Sequence, residues 1–118
     1  MTQGARTDRV GEEFREILAE HIQKLKDPRL GFVTVTGVKV SPDLKHAWVA
    51  YTVLGDEKER AGSRAALTSA APHLRSVLSR EVRLKFVPDL AFEEDTSYQE
   101  GQRIDALLSE VRRRTADD

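Results

Sequence analysis

The side chains best equipped for chemistry lie between positions 75 and 95. Arg75, Ser76, Ser79, Arg80, Arg83 and Lys85 crowd guanidinium, ammonium and hydroxyl groups into eleven residues, with Glu81 the one acid among them. Guanidinium forks and hydroxyls hold a phosphate backbone without reading base sequence. Asp89, Glu93, Glu94 and Asp95 follow at once. Clustered carboxylates suit a hard divalent cation, but strand neighbours point to opposite faces, so Glu93 and Glu94 do not converge. No metal site is expected, and the acidic run reads instead as a negative rim or a docking surface for a basic protein. His21, His46 and His73 stand apart, no His, Asp and Ser or Thr spacing describes a triad, and neither a P-loop nor a dinucleotide fingerprint occurs. Neither catalysis nor a cofactor is expected.

Those residues are positioned by elements that the hydrophobic period lays out. Val10, Phe14, Ile17, Leu18, His21, Ile22 and Leu25 recur at three- and four-residue spacing and predict an amphipathic helix over 7–26, with His21 packed and neutral on its inner face. The helix stops at Asp27-Pro28, because the residue before a proline is pushed out of the α region. The period then changes to two over 32–41 and 45–54, giving an antiparallel hairpin around Ser41-Pro42-Asp43-Leu44, with a bulge expected at Gly37. Trp48 is expected in the core. Gly55-Asp56-Glu57 opens a second helix, residues 86–93 alternate as a third strand, and Ser97 with Glu100 forms a capping box ahead of Ile104, Leu107, Leu108 and Val111. Residues 1–6 and 115–118 are expected to be flexible tails of a single domain, 1–118.

The chain of 118 residues has 39% hydrophobic and 33% charged residues, a composition that folds. It has no cysteine, which excludes disulfides and thiolate chemistry. Its longest apolar run is far short of a membrane span, and the N-terminal residues have no apolar leader pattern, so a cytoplasmic location is expected. A net charge of −1 excludes a uniformly cationic surface, but the basic block before residue 88 and the acidic block after it make the domain electrically two-sided.

In the second helix the apolar phase persists from Ala66 to Val82 straight through Pro72. A proline inside a helix loses the bond to the carbonyl four residues back and costs ~3 kcal/mol, whereas at a first helical turn it is tolerated. Ala70-Ala71-Pro72 therefore reads as a kink or a junction between two helices. At 100° per residue Thr68, Arg75, Ser76, Ser79 and Arg83 form a polar stripe opposite Leu67, Ala70, Leu74 and Leu78, with Glu81 misplaced in the apolar arc. The predicted order is helix, strand, strand, kinked helix, strand, helix: an α+β fold, three strands with the helices on one face. This is the layout of a KH domain, an RNA-binding fold, although no GxxG loop is present.

Further matches are dispersed in order along nearly the whole chain. They are Arg9-Val10, Asp27-Pro28-Arg29-Leu30-Gly31-Phe32-Val33-Thr34-Val35-Thr36, Ser41-Pro42-Asp43-Leu44 with Ala47, Leu74-Arg75 with Leu78, and Pro88, Leu90, Phe92 and Asp95. With these residues the sequence resembles the ribosome-binding factor A family. The resemblance implies a type II KH-like fold with an alanine-x-glycine kink in place of GxxG, and Pro72 stands where that glycine is expected. It further implies binding to the free, immature 30S subunit, support for late maturation and processing of 16S rRNA, and release by an assembly GTPase. Ribosomal proteins are expected as further partners, with the chain a monomer that engages neither DNA nor membrane. Arg9, Arg29 and Lys45 join Arg75, Ser76, Ser79, Arg80, Arg83 and Lys85 as candidate RNA contacts, although an ion pair with Asp27 is the more economical role for Arg29. A protein adaptor docking through residues 89–95 is the alternative reading.

Overall fold

A computed structural model describes residues 2–95. Their order is α1 (Thr2–Gln23), β1 (Phe32–Val40), β2 (His46–Leu54), α2 (Glu57–Glu81) and β3 (Asp89–Glu94). The expected last helix lies outside the described residues. The three strands form one mixed sheet in the order β1-β2-β3: β1 and β2 are antiparallel and β2 and β3 parallel. Parallel neighbours cannot be joined by a tight turn, and α2 is the crossover that carries the chain back along the sheet. The architecture is the expected α+β, KH-like one.

Both helices cover one face. Phe14, Leu18 and Ile22 of α1 and Leu67, Leu74 and Leu78 of α2 close over Val35, Ala47, Val49 and Tyr51. The alternation in β2 buries Ala47, Val49 and Tyr51 and turns Trp48 outward, where it is 40% exposed beside His46. The expectation of a core Trp48 is thus corrected by strand phase: its two neighbours already occupy the helix side. The bulge falls where expected, as the β1–β2 register slips between Val35 and Gly37. Gly11 lets α1 lie against β1, since a Cβ there would sit 2.5 Å from the Val38 carbonyl oxygen.

Element ends differ from the expectation for local reasons. Helix α1 already begins at Thr2, five residues before the expected start at Thr7. It closes at Gln23, where the N–H groups of Lys24 and Leu25 donate to carbonyls three residues back. Strand β3 starts at Asp89 rather than 86, because Pro88 has no N–H to donate and the Val87 and Pro88 carbonyls accept from Arg75. His21 is half-buried, and its Nε2 lies 3.0 Å from Glu81 Oε1. This contact explains the acid in the apolar arc of α2: Glu81 faces α1, not the core.

Helix α2 runs unbroken through Pro72, so the expected junction of two separate helices is replaced by one helix with a proline inside it. Asp56 caps its start, accepting from the Glu59 N–H at 2.8 Å. Leu67 on one side of Pro72 and Leu74, Val77 and Leu78 on the other are buried against a common core. That burial holds the two halves in register where the missing Thr68 hydrogen bond would let them part. Pro72 itself is exposed.

The loop from Asp27 to Gly31, the longest stretch of the family resemblance along with the strand it enters, is fastened to α2. The Gly31 N–H donates to Ser63 Oγ at 2.9 Å, and Ser63 is the buried polar residue among the described residues. Gly62 gives the loop room: a Cβ there would approach the Arg29 carbonyl oxygen to 2.9 Å. At the same end of the crossover Arg60 of α2 grips Glu94 of β3 with both Nε and Nη2. The guanidinium holds the Glu94 carboxyl below its ordinary value of 4.5, through the hydrogen bonds first and against a smaller desolvation effect.

Two outcomes follow from this packing. Pro72→Ala restores the bond to the Thr68 carbonyl, and it should stabilise the fold by about 1–3 kcal/mol. An unchanged or lowered urea midpoint would show that the ring is needed to shape the helix. For Glu94, a depressed folded pKa contributes stability above the ordinary carboxylate value that is lost as pH falls through the folded one. The thermal midpoints of the wild type and Glu94→Gln should therefore differ most at neutral pH and converge on acidification below 4.5. A gap independent of pH would exclude the charged pair as its source.

Candidate nucleic-acid interface

The sheet has one end at which Val40, His46 and Asp89 meet through the β1–β2 and β2–β3 registers. Lys45 precedes β2 there, and its carbonyl accepts from the Asp89 N–H at 2.9 Å. Arg9 enters from α1, two residues before Gly11, which packs against Val38. The last turn of α2 brings Arg80, and the connection to β3 brings Arg83 and Lys85. Arg9, Lys45, Arg80, Arg83 and Lys85 are all exposed, and none forms an ion pair with another described residue. Ser76 and Ser79 lie along the same face of α2, where Ser79 Oγ donates to the Ser76 carbonyl at 2.8 Å.

Two of the nine candidate residues have different work. Arg75 turns back on the fold: Nε donates to the Pro88 carbonyl at 3.1 Å and Nη2 to the Val87 carbonyl at 3.2 Å, with Asp89 Oδ1 at 3.4 Å. Its planar fork braces the connection between α2 and β3. Arg29 lies away from this end, where it binds both oxygens of Asp27 (3.1 and 2.8 Å) and also reaches Ser69 Oγ at 3.3 Å. The expected Asp27–Arg29 pair is present, and it holds the Asp27 carboxyl below its ordinary value. It ties the loop to α2 as well as to itself.

The acidic run divides between two faces of β3: Glu94 turns to the helix side and is taken by Arg60, whereas Asp89 and Glu93 share the exposed face, where Glu93 and Asp95 line one pocket and Arg75 lies 3.4 Å from Asp89. What the residue pattern does not foretell are long-range partners. Arg60 and Glu94 are 34 positions apart and Gly31 and Ser63 32 apart, and nothing in the local period marks either pair. Arg75 is conspicuous for its charge, but its carbonyl partners have no signature in side-chain type.

The brace can be tested directly. Arg75→Ala should lower the free energy of unfolding by about 1–2 kcal/mol, the range for hydrogen bonds from a charged donor at a partly exposed site. An unaltered urea midpoint would return Arg75 to the set of free surface cations.

Comparison with known proteins agrees with the residue matches and the fold. A family profile described as ribosome-binding factor A matches residues 6–108. Ribosome-binding factor A of Geobacter sp. strain M21 is 44% identical over 107 residues, covering 90% of both chains. The Clavibacter michiganensis protein of that name is 45% identical over 118 residues, 99% of this chain and 71% of its own. The crystal structure of ribosome-binding factor A from Thermus thermophilus superposes with a TM-score of 0.68 at 33% identity, covering 75% of this chain and 93% of that one. A Thermus thermophilus homology model fitted into a map of a 30S complex superposes with a TM-score of 0.63 at 34% identity, covering 73% and 91%. With the profile spanning most of the chain, and the relatives alike in both sequence and fold, the chain belongs to the ribosome-binding factor A family.

Proposed function

We propose that the protein is a non-enzymatic assembly factor that binds the immature 30S subunit through its rRNA and supports late maturation and processing of 16S rRNA. The observation that carries the RNA contact is the gathering of Arg80, Arg83, Lys85, Lys45 and Arg9 at one end of the sheet, exposed and unpaired among the described residues. Unpaired cations on a rigid end are free to displace counterions from phosphates, the sequence-independent source of affinity for nucleic acid. The family supplies the ribosome, since its Thermus thermophilus member has been fitted within a 30S complex.

The mechanism is stoichiometric. Binding energy favours the rRNA arrangement that fits the basic end, and the affinity difference between immature and mature forms sets how far the population shifts. Release then follows maturation, aided by a further factor of the assembly GTPase class. No described helix is long and apolar enough to cross a membrane, and the protein acts in the cytoplasm, where subunits mature. The adaptor reading is weaker because Arg60 already takes Glu94 into the fold and Arg75 offsets the charge of Asp89, which leaves Glu93 as the one carboxylate of β3 without a cation against it.

Arg80→Glu combined with Arg83→Glu reverses charge at two exposed positions and leaves the Arg75 brace intact. Cosedimentation with immature subunits should be lost, while the thermal midpoint stays within a few degrees. Wild-type affinity for naked rRNA should fall steeply with salt. A flat salt response, or equal retention on mature and immature subunits, would overturn the reading.

A further inference from the structure

The connection between α2 and β3 leaves a large aromatic ring in solvent while fixing the backbone that carries it. Phe86 is 60% exposed. On either side of it the chain is anchored: Val82 and Pro88 are buried, and Leu84 and Val87 pack on the core. The backbone is held as well, by the Leu84 N–H to the Val82 carbonyl at 3.0 Å and by the Arg75 fork on Val87 and Pro88. The four apolar anchors satisfy the core, so the outward set of Arg83, Lys85 and Phe86 is what this loop offers to a partner.

Phe86 differs from the other large apolar side chains exposed among the described residues. Phe32 and Leu54 pair with each other across β1 and β2, and Trp48, although opposite Lys39, shares its pocket with the carboxylates of Glu93 and Asp95, which repel phosphate, whereas Phe86 lies in the basic segment Arg83-Leu84-Lys85-Phe86. The Lys85 ammonium is 5.7 Å from the ring centroid, close enough for attraction to the π face. An exposed ring with cations beside it on a fixed backbone is the arrangement that takes an unpaired base: the ring stacks on the base while the cations meet the flanking phosphates. A duplex offers its bases stacked and closed to such a ring.

We propose that Phe86 is a stacking platform for an unpaired base of single-stranded or looped RNA, with Arg83 and Lys85 holding the phosphates on either side. The inference rests on the RNA-binding reading above and sharpens it to a class of RNA. Arg75 is then a positioning residue, which sets the ring's height and direction through the carbonyls of Val87 and Pro88.

The test uses the full chain, an unstructured oligouridylate and a fully paired RNA duplex at one salt concentration. Phe86→Ala should weaken oligouridylate binding about 10-fold, within the range for loss of one stacked base, and leave duplex binding and the salt slope unchanged. Phe86→Leu, which keeps apolar bulk without the π face, should weaken it nearly as much, and Phe86→Trp should keep it. In a Trp48→Phe background, the Phe86→Trp fluorescence should be quenched by oligouridylate and not by duplex. Wild-type oligouridylate binding by Phe86→Ala, with Arg80→Glu and Arg83→Glu abolishing it, would sink the stacking platform and leave the RNA reading standing. Full binding by Phe86→Leu would point to an apolar protein contact and also overturn the platform. If the wild type binds neither RNA, the RNA reading itself fails and the platform with it.

Discussion

The parallel pairing of β2 with β3 is the constraint from which the other arrangements follow. Two parallel neighbours require the chain to travel the length of the sheet between them, and here one long helix makes the journey. Because α2 must lie on the sheet to do so, its inner face is apolar from Ala66 to Leu78, with the hydrogen-bonded Ser63 buried one turn before it. Its outer face is thereby left to polar residues, and its C-terminal end delivers cations beside the starts of β2 and β3. The location of the basic end is a consequence of topology before it is one of binding.

A crossover of this length needs fastening at both ends, and the fastenings use side chains that look available for other work. Arg60 and Glu94 join the beginning of α2 to the end of β3, and Arg75 joins its second half to the residues before β3. Between them Ser63 and Gly62 receive the loop that leads from α1 into β1. Each fastening satisfies backbone or charged groups that burial would otherwise leave costly. Charged residues along the outer stripe of α2 and beyond it thus divide into those that hold the fold and those that remain free to meet a partner.

The local half of this structure is legible in the residues. Period-two alternation locates the hairpin, Gly37 marks the slip in register, and Asp56 announces α2, because each depends on groups within a few positions of one another. Pro72 reads as a break because its cost is local, whereas the compensation comes from Leu67, Leu74 and Leu78 buried against other elements. Size alone argues for Trp48 inside, although the alternation of Ala47 and Val49 around it already points the ring outward. For the basic end, residue types identify the cations, but only the fold separates Arg75 and Arg29, which are engaged, from Arg80 and Arg83, which are not. Alternation counts Phe86 among the strand residues, and its exposure depends on Pro88 delaying the strand.

Among the described residues, both outer strands of the sheet carry backbone groups that a foreign strand could pair with. On β1 the slip between Val35 and Gly37 disturbs the even spacing that such pairing requires, and Lys39 stands near the strand's end. On β3 the strand is six residues long and exposes Asp89 and Glu93. Bulges, short strands and charged side chains are the means by which sheets discourage edge-to-edge addition. The irregularity that first registers as a flaw in a hairpin therefore also protects an open three-stranded sheet from growing into a larger one when many copies of the chain share a crowded cell.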